Sequence, residues 1–184
     1  LGRSSTSILG SSFRAACTRG GGCGACLRAI RSRNSSGVST TSKISMRLEF
    51  TKDGFRLLNE AITNGRDSQQ EPGLQLEAIA QAYWKFAFDH KEYYQLMFGL
   101  GIPACETVNQ VAEMKEFSDT LISVIQQAIN ASKEPQVNAF LKFHTYWSIL
   151  HGLVSIQMID RKTSPWSQLV LKDAIDGFIK ALNG

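Results

Sequence analysis

The sequence predicts an all-α fold, and three observations carry that expectation. From Met46 onward apolar residues recur at spacings of three and four, which is the period of an amphipathic helix. No alternating apolar and polar run of strand length competes with them. All sixteen acidic residues lie at or after Glu49, whereas the preceding forty-eight residues carry seven Arg and Lys43 and no carboxylate. The chain therefore divides near Met46 into a basic Ser/Gly/Arg-rich head, residues 1–46, and a helical unit, residues 47–184. The head has too few large apolar residues to offset chain entropy and is expected to be disordered. The rest is long enough for one domain with one core.

Taking the elements in order, Leu48, Phe55, Leu57, Leu58, Ala61 and Ile62 predict a first helix from about Met46 to Asn64, with Gly65 as its stop. Pro72 opens a second, where its missing N–H costs nothing, and Leu76, Ile79, Ala80, Tyr83, Trp84, Ala87 and Phe88 form its apolar stripe to about His90. A short third helix runs from Glu92 to about Leu100, ended by Gly99, Gly101 and Pro103. Thr107 or Asn109 is the expected cap of a fourth reaching about Ala131. The fifth, from Pro135 to about Ile159, is apolar on nearly all sides and so needs burial on two of them, in its own domain or against a partner chain. The sixth runs from about Ser167 to Leu182, with Gly177 admitting a close helix approach. About six helices are expected.

The charge balance excludes a simple nucleic-acid reading. The whole chain is +4, but from Glu49 onward twelve Lys and Arg stand against sixteen Asp and Glu, so the basic pI belongs to the head. Every apolar run is interrupted by a polar or charged residue well before membrane-spanning length. The head's composition is also that of an organelle transit peptide. Cys17, Cys23, Cys26 and Cys105 are read as reduced, unpaired thiols, the lone Cys23-x-x-Cys26 being too little for a metal site.

The stretch Ala78-Ile79-Ala80-Gln81-Ala82-Tyr83-Trp84-Lys85-Phe86-Ala87, with His90, Tyr94, Leu96, Met97 and Phe98, resembles the ligand-binding domain of TetR-type transcriptional repressors. Trp147-Ser148-Ile149-Leu150-His151-Gly152-Leu153-Val154 is similar to the Trp…His-Gly signature of one subgroup. The likeness spans roughly residues 48–182; Lys91, where the family more often has Pro after His, departs from it at a helix boundary. The resemblance implies a cytoplasmic homodimer in which the last two long helices form a four-helix bundle, and a small, largely apolar effector held inside each subunit. It also implies an amino-terminal helix-turn-helix reading operator DNA, which residues 1–46 do not display. Either the head is a natural extension or targeting segment, or it is a translation in the wrong frame. Read one nucleotide earlier, Ser39 to Met46 admits Ile-Tyr-His-Phe-Lys-Asp-Ile-Asp, close to the Tyr-x-His-Phe element that precedes the family's ligand domain. A stand-alone dimerisation and ligand-binding module without DNA contact is the alternative function.

Pocket walls are expected from aromatic and sulfur-containing residues facing the long helices: Tyr83, Phe86, Met97, Met114, Phe117, Phe143 and Trp147. Tyr83, His144, His151 and Gln157 are candidate polar anchors. His144 and His151 lie two helical turns apart on one face, with Trp147 between them. Without a third ligand they make no metal site, and His151 is expected at a helix crossing tightened by Gly152. No catalytic motif or phosphate loop occurs, so neither an enzyme nor a cofactor is expected.

Overall fold

The computed structural model describes residues 40–98, 111–133, 136–159 and 166–183. These contain six α-helices and no strand: α1 (Thr40–Asp67), α2 (Pro72–Asp89), α3 (Lys91–Phe98), α4 (Ala112–Asn130), α5 (Ala139–Ile159) and α6 (Ser167–Asn183). Cys17, Cys23, Cys26, Cys105, Thr107, Asn109 and the glycine-proline cluster after α3 lie outside the described residues.

The central element is α2, which touches each of the other five helices. Its sequence is suited to that place. Leu76, Ile79, Ala80, Tyr83, Phe86 and Ala87 are all buried, and the small residues among them let neighbouring helices come close. Pro72 stands in its first turn as expected, and Glu71 takes the N-cap position. Around it, α1 packs on α3 and α4, and α5 on α4 and α6. Tyr146 of α5 is fully buried and its hydroxyl donates to the Leu76 carbonyl at 2.5 Å. Burial without a charge partner pushes its ionisation far up, so it is a neutral strut joining α5 to α2.

Four boundaries differ from those the sequence suggests. Helix α4 begins at Ala112 with Val111 in the N-cap position and no side-chain cap, and not behind Thr107 or Asn109. Helix α1 begins at Thr40, six residues earlier, and Gly65 does not stop it. A Cβ at Gly65 would stand 3.0 Å from the Ala78 carbonyl oxygen, so this glycine serves the crossing of α1 over α2. Helix α5 starts at Ala139, where the Asn138 side chain accepts from the Phe140 and Leu141 amides at 2.9 and 3.1 Å. That cap satisfies two otherwise orphaned donors and sets the start.

Gly54 serves a second close crossing, of α1 over α3. A Cβ there would lie 2.4 Å from Met97 Sδ, and Met97 is itself buried. Gly54→Val should therefore cost about 1–3 kcal/mol through overpacking, despite the better helix propensity of valine. Urea denaturation of wild type and variant measures it; equal midpoints would show that the crossing is loose.

Helix α5 has two faces. Ala139, Phe143, Tyr146, Leu150 and Val154 point into the core, whereas Leu141, Ile156 and Ile159 are 63%, 68% and 82% exposed. A single chain buries only one side of this helix. The tight crossings expected at Gly152 and Gly177 are absent: a Cβ at either position meets nothing within 4 Å, because both lie on the outer faces of α5 and α6. No described helix is long and apolar enough to cross a membrane.

Candidate functional site

Where α1, α2, α3, α4 and α5 converge, their aromatic residues meet. Phe117, at the second turn of α4, is 1% exposed. Its ring lies 6.3 Å from Phe55 of α1, 6.2 Å from Tyr83 of α2, and 6.5 and 6.3 Å from Phe143 and Trp147 of α5. Phe143 and Trp147 stack face to face, 12° from parallel. From α3, Phe98 reaches Phe55, Trp147 and His151. Such offset and edge-on pairs add to the burial energy of the rings.

A chain of hydrogen bonds threads this cluster. Tyr83 and Tyr94 hydroxyls are 3.2 Å apart, and the Tyr94 hydroxyl is 2.6 Å from His151 Nδ1. The order that satisfies most groups has Tyr83 donating to Tyr94 and Tyr94 donating to His151, which places the His151 proton on Nε2. Ser155, one turn after His151, approaches the Tyr94 hydroxyl closely enough to favour its ionised form somewhat. Burial pushes the Tyr94 hydroxyl up to about 12 and the Tyr83 hydroxyl well above its ordinary value. Both are neutral donors across the physiological range.

Burial lowers the His151 pKa below its ordinary 6.5. The unfolded chain then binds the more protons, so stability should be complete above about pH 6.5 and fall as pH drops below that value toward the depressed native pKa. His151→Gln keeps an acceptor for Tyr94 and removes the titration. Urea unfolding at pH 5 and pH 7.5 should show a smaller pH dependence in the variant; an unchanged difference would place the titration elsewhere.

The buried Trp147 Nε1 has no hydrogen-bond partner. It approaches the Tyr83 hydroxyl closely enough to favour that phenol's ionised form somewhat, but no hydrogen bond closes.

Of the nine pocket residues expected from the sequence, Tyr83, Phe117, Phe143, Trp147 and His151 come together here. His144 flanks them, edge-on to Phe140 at 4.5 Å and against Phe143. Phe86 is buried with its ring on His90, Met97 packs against Gly54, and Met114 lies half-buried beside the core. Gln157, the fourth candidate anchor, is engaged with Ser167 at the foot of α6. Tyr94 and Phe98, which the sequence offers only within the stretch carrying the family resemblance, also join the site, as do Phe55 and Ser155. The four-residue step from Tyr94 to Phe98 and from His151 to Ser155 was the available signal. Two open grooves, of about 380 and 500 Å³, lie elsewhere, at the start of α2 beside α6 and on the outer side of α2; none of the nine residues lines them. Among the described residues no group of His, Cys, Asp and Glu could hold a metal ion.

No curated protein matches the sequence. A solved structure from Rhodococcus sp. RHA1, described as a protein with unknown function, is similar in fold: it is 21% identical with a TM-score of 0.63, covering 75% of this chain and 73% of its own. The model of the tetracyclin repressor-like C-terminal domain matches residues 76–167, from the first buried leucine of α2 to the start of α6, and half of the chain. By that match the chain belongs to the TetR family and carries its C-terminal domain.

Proposed function

We propose that this protein is an effector-responsive transcriptional regulator whose helical domain dimerises through α5 and α6 and binds a small, largely apolar ligand among the aromatic residues between α2, α3, α4 and α5. The observation that carries the ligand reading is the uncharged aromatic cluster built around the Tyr83–Tyr94–His151 chain. A core that only needed filling would be cheaper with aliphatic residues, since each buried hydroxyl or imidazole must find a partner. Catalysis has no support in this arrangement: the polar groups are neutral and there is no activated nucleophile beside them.

The dimer reading rests on the outer faces of the last two helices. Leu141, Gly152, Ile156 and Ile159 fall on one side of α5, and Trp166 and Leu169 are exposed at the start of α6. An apolar patch of this extent is the kind that associating surfaces present, and glycines facing outward let a second copy's helices approach closely. A twofold pairing would place the same residues on both sides. The protein is expected in the cytoplasm, where such a regulator acts.

Titrating the purified protein with a panel of neutral aromatic compounds, followed by intrinsic tryptophan fluorescence, tests the ligand reading. Saturable changes are expected; none across the panel would remove it. Operator DNA is a partner only if an intact helix-turn-helix precedes α1. The nucleotide sequence across codons 1 to 60 decides between a shifted frame encoding that unit and the second reading, a ligand-binding dimer without DNA contact, which the patternless head favours.

A further inference from the structure

A helix as short as α3, eight residues long, holds its place through what it touches. Tyr94 and Met97 are its buried residues. Among the described residues, the side-chain hydrogen bonds from α3 to other helices are those of Tyr94 alone, to Tyr83 of α2 and His151 of α5. The direction of these bonds is set from the far end. Trp147 Nε1 approaches the Tyr83 hydroxyl, and an indole nitrogen only donates. The fully buried Tyr83 hydroxyl therefore sends its own hydrogen to Tyr94, which sends its hydrogen across 2.6 Å to His151 Nδ1. Three donors in a row end on one acceptor, the bare ring nitrogen of a neutral imidazole.

A second proton can join His151 only at that nitrogen, because Nε2 already carries the first. Nδ1 then becomes a donor facing a donor. If the Tyr94 hydrogen turns back to Tyr83, the Tyr83 hydrogen is left without a described acceptor in the core, and a buried donor without a partner is costly. If it turns to Ser155, the other described hydroxyl near it, it leaves His151 just the same. The titratable groups facing His151 are Tyr94 of α3 and, one link on, Tyr83 of α2; no described charged side chain acts on it.

We propose that Tyr94 and His151 form a proton-operated latch between α3 and α5, closed while Nδ1 accepts the Tyr94 hydroxyl and opened when Nδ1 takes up a proton from solvent. His151 is only half-buried, so solvent reaches it. Opening frees α3, and with it the crossing that Met97 makes over Gly54 of α1. The closed chain disfavours the cation, whereas an opened one lets His151 titrate near its ordinary 6.5, so opening becomes easier as pH falls below that value.

Imidazole nitrogen NMR of the full chain follows the ring, and amide hydrogen exchange follows α3. At pH 7.5 His151 should show a bare Nδ1 and a protonated Nε2. Between pH 7.5 and 5, exchange of the amides of residues 91–98, corrected for its intrinsic pH dependence, should accelerate roughly threefold or more. His151→Gln should remove that acceleration. Tyr94→Phe should raise the His151 pKa toward its ordinary value, because the hydroxyl lost favours the neutral ring. A fall or no change in that variant would show that Tyr94 serves the imidazolium equally well, and the latch would be overturned. A proton on Nδ1 at pH 7.5, α3 exchange that does not accelerate, or an acceleration that persists in His151→Gln would overturn it too. Should Tyr94→Phe not fold, the wild-type protein and His151→Gln decide the matter.

Discussion

Phe117→Ala is expected to destabilise the domain by about 3–5 kcal/mol, the largest effect of any single substitution at the site. The ring is buried at the point where four helices meet and touches Phe55, Tyr83, Phe143 and Trp147. Truncation removes the transfer energy of an aromatic side chain and leaves a void whose walls belong to four separately anchored helices, so collapse is restricted. Phe117→Leu fills most of the volume and should cost considerably less. Urea denaturation at pH 7 measures both. A loss under about 1 kcal/mol for the alanine variant would mean that the surrounding rings close over the space, and the junction would then not be the rigid packing described. Because domains of this size keep only about 5–15 kcal/mol of net stability, the alanine variant should also lose ligand response where the leucine variant retains it.

Ile156→Glu is expected to convert a dimer to a monomer with little effect on the fold of the single chain. Ile156 is 68% exposed in the isolated subunit, and a glutamate on an exposed helix position has good intrinsic propensity. In a twofold interface one substitution acts on both sides, so two carboxylates would enter an apolar contact without partners. A weakening of association by a hundredfold or more follows if each costs even about 1.4 kcal/mol. Light scattering across a concentration series reads the oligomeric state, and circular dichroism checks the fold. A variant that stays dimeric would move the interface away from α5; a wild type that is monomeric throughout would end the dimer reading.

The comparison of sequence with structure turns on particular residues. The stripe of α2 was legible because its apolar positions recur at helical spacing and Pro72 marks its start. A glycine after an apolar run reads as a helix stop, whereas the use of Gly65 depends on another helix, whose Ala78 carbonyl oxygen would stand 3.0 Å from any Cβ placed there. Pro135 is the more conspicuous start for α5 in the sequence, whereas the cap that sets it is the Asn138 side chain. For the site, residue types and helical faces were readable: Phe143, Trp147 and His151 lie along one side of α5. That Tyr94 would meet His151, fifty-seven positions away, was not, since periodicity fixes which face a residue occupies and says nothing of which other face it meets.

The sequence by itself determined that the chain is helical, that its basic charge sits in the head, which helices are amphipathic and which one is apolar on both sides, because these follow from local spacing and composition. Only the tertiary structure decided that Tyr83, Tyr94 and His151 form one hydrogen-bonded chain, that the Trp147 indole N–H approaches the Tyr83 hydroxyl, and that Gly152 and Gly177 face outward. Each of these depends on the crossing of helices distant in sequence, and that crossing is set by the packing of the whole core.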